Sequence, residues 1–301
     1  MDVQSRAVLK GFLDLSSRHA AKQVGNVQGS RSTGRIHSLA TFNKYVTALK
    51  QAGDWAREHA GLRHLKTFTP ALAQQYLADR AAQGIGQKQL DTDRNALSFI
   101  TGKDSMARER ALTQSERHSR AYTSDQIRLV AARQNGKNTL ATAIAWRAGL
   151  RAHELLTLQR SDEARASGHR SWNPDRFLGR DGERYIVTGK GGLRREVLIP
   201  REIAIQLEAR RLDTVRVVTD RGISYRQYYD IGGGNAWSKS FSEASSRILG
   251  WSHGAHGLRH SYAQERMREL LALGKPYYSA RVIVSQELGH FRGDIVEVYL
   301  R

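Results

Sequence analysis

Hydrophobic positions recur at helical spacing over most of this chain. Between residues 38 and 101, apolar side chains such as Phe42, Val46 and Leu49 return every three or four positions, as expected for helices that bury one face. Thr69-Pro70 has the residue types that begin a helix, a hydroxyl cap followed by proline in the first turn. The pattern predicts a mainly α protein.

Two short β-rich runs interrupt this pattern. Tyr185-Ile-Val-Thr188 and Glu196-Val-Leu-Ile199 are separated by a glycine-rich stretch that contains Lys190. Two such runs with a glycine-rich connection predict an antiparallel hairpin with Lys190 in its turn. The predicted fold class is therefore mainly α with a small antiparallel β-sheet.

Composition along the chain predicts two domains joined by polar segments. The predicted segments are a basic N-terminal helix and linker (1–37), a helical module that is expected to bind and not to catalyse (38–101), a polar linker (102–120) and a second domain (121–301). Residues 2–24 carry the basic helix. Thr123 and Gln126 have the spacing of a capping box, so a helix is expected to open the second domain there.

Charge defines the class of partner. The 301 residues contain 48 Lys and Arg against 29 Asp and Glu, a net charge of +19. Such a positive field favours a polyanion, and nucleic acid first. No apolar stretch is long enough to span a bilayer, and we expect no membrane partner.

The absence of cysteine and the character of the N-terminus narrow the chemistry and the compartment. The chain has no Cys, so disulfides, thiolate nucleophiles and Cys-based zinc sites are excluded. The N-terminus lacks the apolar core of a signal peptide. The protein is expected to stay in the cytoplasm, associated with the nucleoid.

The C-terminal part contains candidates for phosphoryl-transfer chemistry. His256 and Arg259 lie three residues apart and would share a helix face, and Tyr299 lies in the half-apolar run Ile295–Leu300, which is able to dock. Attack of a phenol on a phosphodiester adds negative charge at phosphorus, and guanidinium groups match phosphate oxygens in pairs. Tyr299 is the candidate nucleophile, and Arg151 and Arg259 are the candidate clamp.

Lys190 and His256 are the candidates for proton transfer. The departing sugar oxygen needs a proton, which a lysine on a short turn could donate, and a histidine could serve as the base. Taken singly, each motif is weak. R-x-x-E occurs at Arg151, Arg160, Arg180 and Arg266, and such a pair lies more often on a helix surface than in a catalytic site.

The ordered set of motifs is much more specific. Gly149-Leu-Arg151-Ala-His-Glu154, Thr188-Gly-Lys190, His256-Gly-Leu-Arg259-His260, Leu288-Gly-His290 and Tyr299 follow one another along the chain. In this order the sequence resembles the tyrosine recombinases, the family of phage-type integrases and Xer recombinases. The resemblance covers roughly residues 120 to 301, and the module at 38–101 is similar to the family's core-binding domain.

The resemblance implies a role for each matched residue. Arg151 and Arg259 would bind the non-bridging oxygens of the scissile phosphate. Lys190 would protonate the departing 5′ oxygen, His256 would serve in acid–base transfer, and His290 would help to hold the phosphate in the transition state.

The resemblance also implies the reaction and the partners. Tyr299 would attack to give a 3′-phosphotyrosyl link and a free 5′ hydroxyl, and a hydroxyl of a partner strand would reverse the step. Neither ATP nor a metal ion is required, so no cofactor is expected. In such enzymes the two domains clamp double-stranded DNA and four protomers assemble as a homotetramer on paired sites. The implied function is that of the integrase of a mobile element or phage, for which an accessory directionality protein would be a further partner.

Two features depart from the family pattern. Thirty-one residues separate Arg259 from His290, with the surplus around Leu271–Ser279, which makes Tyr277 and Tyr278 rival phenols. The sequence ends two residues after Tyr299, where family members commonly continue into a tail that docks on a neighbouring subunit. The resemblance leaves the subunit contacts open.

Two other functions fit parts of the sequence. A type IB topoisomerase uses a similar pocket but relaxes a single duplex, and a separate DNA-binding module before the catalytic part favours recombination instead. A non-catalytic DNA-binding protein would have the same charge, with Tyr299 merely packing. The target site, and any contact of residues 1–37 with DNA, are not given by the sequence.

Overall fold

The chain folds as two compact units, Met1–Glu116 and Arg117–Arg301. The computed structural model describes residues 1–15, 33–102, 104–112 and 118–301. In each unit, buried apolar side chains form a core. Among the described residues, no helix has both the length and the apolar character needed to cross a bilayer.

The described residues of the first unit form four helices. They are α1 (Asp2–Lys10), α2 (Leu39–Ala60), α3 (Pro70–Ala82) and α4 (Gln87–Thr101), with a 3₁₀ turn at Leu65–Thr67. The Thr69 hydroxyl accepts a hydrogen bond from the Leu72 amide and Pro70 is the first helical residue, so the predicted start of α3 is confirmed. Leu49, Tyr76 and Leu97 lie in the core between these helices.

The N-terminal helix is shorter than predicted. It ends at Lys10 instead of continuing through residue 24, and the part of that prediction after residue 15 lies outside the described residues. The chain turns at Gly11, and the amide of Ile36 then donates to the carbonyl of Phe12 at 2.8 Å. This pairing brings two distant stretches together, and local periodicity carries no information on it.

The described part of the predicted linker packs on the first unit. Met106 is buried in the core, the amide of Ala107 donates to Gln74 at 2.9 Å, and Arg108 forms an ion pair with Asp91 at 2.9 Å. Residues 113–117 lie outside the described part. The polar composition predicts a linker. The packing of this segment was not predictable, because the sequence does not show which polar side chains form hydrogen bonds or ion pairs within the unit. The four segment boundaries stay predictions.

The second unit combines helices with two small sheets. Its elements are α5 (Ser124–Ala131), α6 (Gly136–Arg147), a 3₁₀ helix (Glu154–Thr157), β1 (Gln159–Arg160), β2 (Glu183–Thr188), a 3₁₀ turn (Lys190–Gly192), β3 (Arg194–Ile199), α7 (Arg201–Glu208), β4 (Arg211–Asp220), β5 (Ile223–Tyr229), α8 (Gly234–Leu249), α9 (Gly257–Ala272), α10 (Tyr277–Glu287) and a 3₁₀ helix (Gly293–Val298). The capping box of Thr123 and Gln126 opens α5 as predicted. The mainly α fold class with small antiparallel sheets is confirmed.

The sequence predicts the hairpin of β2 and β3, but it does not predict the second hairpin, which β4 and β5 form. Strands β1, β2 and β3 form an antiparallel sheet in which Tyr185 lies opposite Val197. Strands β4 and β5 form a second antiparallel pair. Their turn has Arg221 and Gly222 at φ +50° and +77°, the left-handed conformations that two-residue hairpin turns require.

The surplus between Arg259 and His290 is accommodated by α9 and α10. Lys275, in the turn between them, forms an ion pair with Asp175 at 2.7 Å, and Glu287 at the end of α10 accepts from the Phe177 amide at 2.8 Å. The extra residues therefore pack against the irregular segment between β1 and β2. They leave the order of the candidate residues unchanged.

Candidate active site

A tight turn after α6 brings Arg151 to a buried carboxylate. Gly149 has φ +61°, and a Cβ there would come within 2.8 Å of the Tyr262 ring, so only glycine fits without strain. The backbone amide and Nη1 of Arg151 then donate to the two oxygens of Glu154, each at 2.7 Å. Glu154 is fully buried, which distinguishes this R-x-x-E pair from the surface pairs that the spacing usually indicates.

Arg259 lies in the first turn of α9 with its side chain fully buried. Its Nη1 donates to the carbonyl of Gly149, and its Nη2 donates to the carbonyl of Leu288 at 2.9 Å. These bonds use two of the five N–H groups of the guanidinium. Its Nε has no hydrogen-bond partner in the described part of the chain. The residue thus joins α9 to two turns and keeps donors for an anion.

His290 connects Arg151 with Tyr299. Its Nε2 lies 3.1 Å from Nη2 of Arg151 and 3.4 Å from the hydroxyl of Tyr299. His290 follows Gly289, whose φ of +74° turns the chain out of α10. A single imidazole nitrogen therefore lies between the candidate clamp and the candidate nucleophile.

The ring of Tyr299 is held among basic side chains. Its centroid lies 4.9 Å from that of His260 and 5.8 Å from that of His256, and Arg259 Cζ lies 5.7 Å from it. Gln264 of α9 donates to the Tyr299 carbonyl at 3.1 Å, so the C-terminal segment is docked. The tyrosine is only 6% exposed, and its hydroxyl lies with the arginines and not on a separate surface.

Lys190 lies on the hairpin turn at the edge of the same site. The turn is closed by a hydrogen bond from the Gly189 amide to the Leu193 carbonyl at 2.7 Å, and the Lys190 side chain is exposed. A cavity of about 200 Å³ is lined by Arg151, Glu154, Gly189, Lys190, Leu193, Arg195, Gly289 and His290. Lys190 therefore borders the cavity that Arg151 and His290 line.

The rival phenols lie elsewhere. Tyr277 is 48% exposed and donates to Glu297 at 3.0 Å, and Tyr278 is 71% exposed. Neither hydroxyl is held among the arginines of the site.

Three further residues belong to this site by position: Glu154, His260 and Arg195. In the sequence the first two stand out only as parts of the motifs around Arg151 and Arg259. Arg195 is 1% exposed, and its Nη2 donates to Glu154 at 2.8 Å. One sequence signal exists for it. Arg195 shares the alternation of the inward-facing Val197 and Ile199, where a charged residue is unusual.

The electrostatics of the site keep its histidines neutral. Burial, followed by the charges of Arg151 and Arg259, lowers the pKa of His290 to about 4. Burial, followed by Arg120 and Arg259, lowers the pKa of His260 to about 4. At neutral pH both imidazoles are uncharged, so His290 Nε2 can accept a hydrogen bond from Arg151.

The charged groups of the site stay ionised. Burial disfavours the carboxylate of Glu154, but Arg195, Arg151 and Arg259 outweigh it and hold its pKa below the usual range. Burial, together with Arg151, lowers the pKa of Arg259 to about 10, and the guanidinium remains protonated at neutral pH. A positive pocket with neutral histidines results. In the part of the chain that the structure describes, no three His, Cys, Asp or Glu side chains are grouped as metal ligands.

A titration of the imidazoles checks this electrostatic description. In the DNA-free protein, the ring protons of His260 and His290 are expected to titrate with midpoints near 4, below the value of about 6.5 for an unfolded chain. Their signals in proton NMR should therefore stay those of neutral rings as the pH falls from about 8 to about 5. His260→Asn and His290→Asn assign the signals. Midpoints near 6.5 for both rings would contradict the buried positive pocket.

Comparison with solved structures identifies the fold. The chain is similar to the XerH site-specific recombinase bound to its difH substrate (14% identity, TM-score 0.54, covering 100% of this chain and 90% of that one). It is also similar to a lambda integrase tetramer bound to a Holliday junction (15% identity, TM-score 0.56, covering 94% and 76%). A third similar structure is the Tn1549 transposon integrase with transposon-end DNA (13% identity, TM-score 0.51, covering 93% and 93%).

The chain has the tyrosine-recombinase fold. No family model and no curated protein sequence matches it. At such low sequence identity, the fold is recognised from the course of the backbone. The six candidate site residues are recognised from the sequence motifs in which they occur.

Proposed function

We propose that this chain is a site-specific DNA recombinase that cuts and rejoins duplex DNA through a 3′-phosphotyrosyl intermediate. One observation carries the proposal: the Tyr299 hydroxyl and the Arg151 guanidinium lie 3.4 Å and 3.1 Å from the same nitrogen of His290. Arg259 lies beside the same tyrosine ring. A phenol and two guanidinium groups around one small space are what attack on a phosphodiester requires.

The proposed cleavage step moves two protons. The Tyr299 oxygen forms a bond to phosphorus as the bond from phosphorus to the 5′ oxygen breaks. The phenolic proton passes to His256, whose pKa is lowered by burial and by Arg259, so that the ring is uncharged at neutral pH. The departing 5′ oxygen takes a proton from Lys190. A 5′ hydroxyl of another strand reverses these steps and joins the new junction.

The arginines stabilise the charge that develops. The five-coordinate phosphorus carries one more negative charge than the diester, and Arg151 and Arg259 hold its non-bridging oxygens. The neutral ring of His290 is a further donor in its Nε2–H tautomer. Glu154 fixes Arg151 through two bonds of 2.7 Å, so the clamp is ordered before DNA binds. Preorganised charge of this kind contributes most of the rate in such reactions.

The proposed partner is double-stranded DNA. The net charge of +19 supplies affinity for its phosphates, and we assign base and backbone contacts of the first unit to the predicted helical module at 38–101. A lambda integrase structure holds a tetramer on a Holliday junction. By analogy we propose a homotetramer on paired sites, in the integrase of a mobile element or phage, with an accessory directionality protein as a further partner.

Covalent capture tests this function without knowledge of the target. The wild-type protein is incubated with a randomised library of duplexes that carry a nick beside the variable core, so that cleavage releases a short fragment and traps the intermediate. Denaturation-resistant complexes are sequenced, and the DNA-linked peptide is mapped by mass spectrometry. We expect a recurring duplex sequence attached through its 3′ phosphate to Tyr299. A protein that binds the library but yields no such complex would be a non-catalytic DNA-binding protein.

Plasmid assays separate recombination from topoisomerase activity. A recombinase is expected to need paired copies of the selected site and to exchange the flanking DNA. Relaxation of supercoiled plasmid by a monomer without site preference would contradict the recombinase proposal and favour the type IB topoisomerase alternative.

A further inference from the structure

Arg195 is a buried charge whose presence the proposed mechanism does not yet explain. It lies on β3 in the alternation of the apolar Val197 and Ile199, and it is 1% exposed. Removing an arginine from water is costly unless the charge is paired and hydrogen-bonded. A leucine or valine at this position would complete the strand's apolar face, so the guanidinium calls for a specific reason.

The partners of Arg195 are too few for a purely structural ion pair. Its Nη2 donates to Glu154 at 2.8 Å, while Nε and Nη1 have no hydrogen-bond partner among the residues described. The carboxylate it contacts is already shared, because Arg151 donates to it twice and Arg259 Nη1 lies 3.8 Å from it. Buried donors without partners are rare in folded proteins, and each one calls for a specific explanation.

Arg195 also lines the proposed phosphate pocket, the cavity of about 200 Å³ described above. It lines the same cavity as Arg151, Lys190 and His290. Gly289, immediately before His290, lies so close that a Cβ there would be 3.0 Å from both Cδ and Nε of Arg195. The guanidinium therefore lies beneath the turn that holds His290.

The net charge of the cluster around Glu154 explains why an arginine stands at this position. Three buried or half-buried guanidinium groups, those of Arg151, Arg195 and Arg259, surround the one carboxylate of Glu154. With Arg195 the cluster has two positive charges in excess, and without it only one. Two positive charges match the dianionic five-coordinate phosphorus of the proposed reaction, whereas one matches only the ground-state diester.

We propose that Arg195 is a positioning residue of the phosphate pocket: it neutralises Glu154, so that the charges of Arg151 and Arg259 remain available to the scissile phosphate. This inference rests on the proposed function. Arg195 acts through the carboxylate of Glu154, to which its Nη2 donates. The charge of Arg195 therefore increases the difference in binding free energy between the transition state and the bound diester.

The test removes one charge from the protein and then one from the DNA. Arg195→Met is expected to form the covalent complex about 100-fold more slowly than wild type on the selected duplex, by analogy with the loss of one charge-stabilising group. A methylphosphonate at the scissile position has one negative charge fewer, so the same variant should then lie within about tenfold of wild type on that duplex. Arg195→Lys, which keeps the charge, should show a smaller defect than Arg195→Met on the ordinary duplex.

Controls separate charge from folding. Arg184→Met removes an exposed arginine of the neighbouring strand β2 and should cleave both duplexes like wild type. Circular dichroism melting and DNA binding are measured for every variant, and Arg195→Gln replaces Arg195→Met if the latter does not fold. An equal defect on the ordinary and the methylphosphonate duplex would mean a structural role and would overturn the inference, as would wild-type cleavage by Arg195→Met. If the wild-type protein itself forms no Tyr299 adduct, the proposed function fails instead.

Discussion

A Tyr299→Phe protein is expected to form no covalent complex with DNA while it binds the same duplex as tightly as wild type. The substitution removes one oxygen atom, and that oxygen is the proposed nucleophile. The ring contacts with His260, His256 and Arg259 do not involve the hydroxyl, so the C-terminal segment should stay docked. Denaturing gel electrophoresis of trapped complexes measures the chemistry, and a mobility shift in native gels measures binding.

Tyr277→Phe and Tyr278→Phe are the matched controls for this experiment. Both phenols lie in the same part of the sequence, and they are exposed to 48% and 71% respectively. Neither substitution should change the yield of covalent complex. A Tyr299→Phe protein that still forms the adduct, or a Tyr277→Phe or Tyr278→Phe protein that loses it, would show that another side chain attacks the phosphate.

Arg259→Ala is expected to slow cleavage by about 10³-fold, the upper part of the range for the loss of one group that stabilises a developing oxyanion. Arg151→Ala should act in the same direction. Duplex affinity should change little, because the chain contains 48 Lys and Arg residues that share the attraction to phosphate. Single-turnover rates of covalent capture, compared with affinities at the same salt concentration, give both quantities.

The structural role of Arg259 requires its own control. Alanine leaves the carbonyls of Gly149 and Leu288 without the donor they now have, at a cost of about 1–3 kcal/mol for each buried group. Melting curves therefore accompany the rates, and Arg151, which is 20% exposed at its side chain, provides the less disruptive variant. Arg247→Ala removes an exposed arginine of α8 and serves as the charge-matched control. Cleavage near the wild-type rate by either clamp variant would refute the assignment of the clamp.

Local sequence predicts the elements whose signals are local. The start of α3 at Thr69-Pro70, the capping box of Thr123 and Gln126, and the hairpin that presents Lys190 all depend on residues within a few positions of one another. The end of α1 and the packing of Met106 are different, because each depends on a partner far away in the chain. Hydrophobic periodicity and composition do not predict contacts between residues that are far apart in the chain.

The candidate residues themselves were readable because their side-chain types suit attack on a phosphodiester and because their motifs follow the order of the family that the sequence resembles. Along the chain they follow one another as Arg151, Lys190, His256, Arg259, His290 and Tyr299. The predicted docking of the C-terminal segment agrees with the burial of Tyr299. Their roles stay predictions until cleavage is measured. Arg195 was not found, since a charged residue at an inward strand position gains its meaning only from the carboxylate it faces.

By itself, the sequence determined the mainly helical class, the hairpin turn with Lys190, the positive charge and the set of candidate groups, because these follow from composition and from neighbours along the chain. Only the tertiary structure decided that His290 Nε2 lies between Arg151 and Tyr299, that Glu154 is shared by three arginines, and that Tyr277 and Tyr278 point to solvent. The reason is physical: hydrogen-bond geometry and burial depend on tertiary contacts such as that between Arg151 and His290, which are 139 positions apart. The residue type at one position does not specify which distant group it will contact.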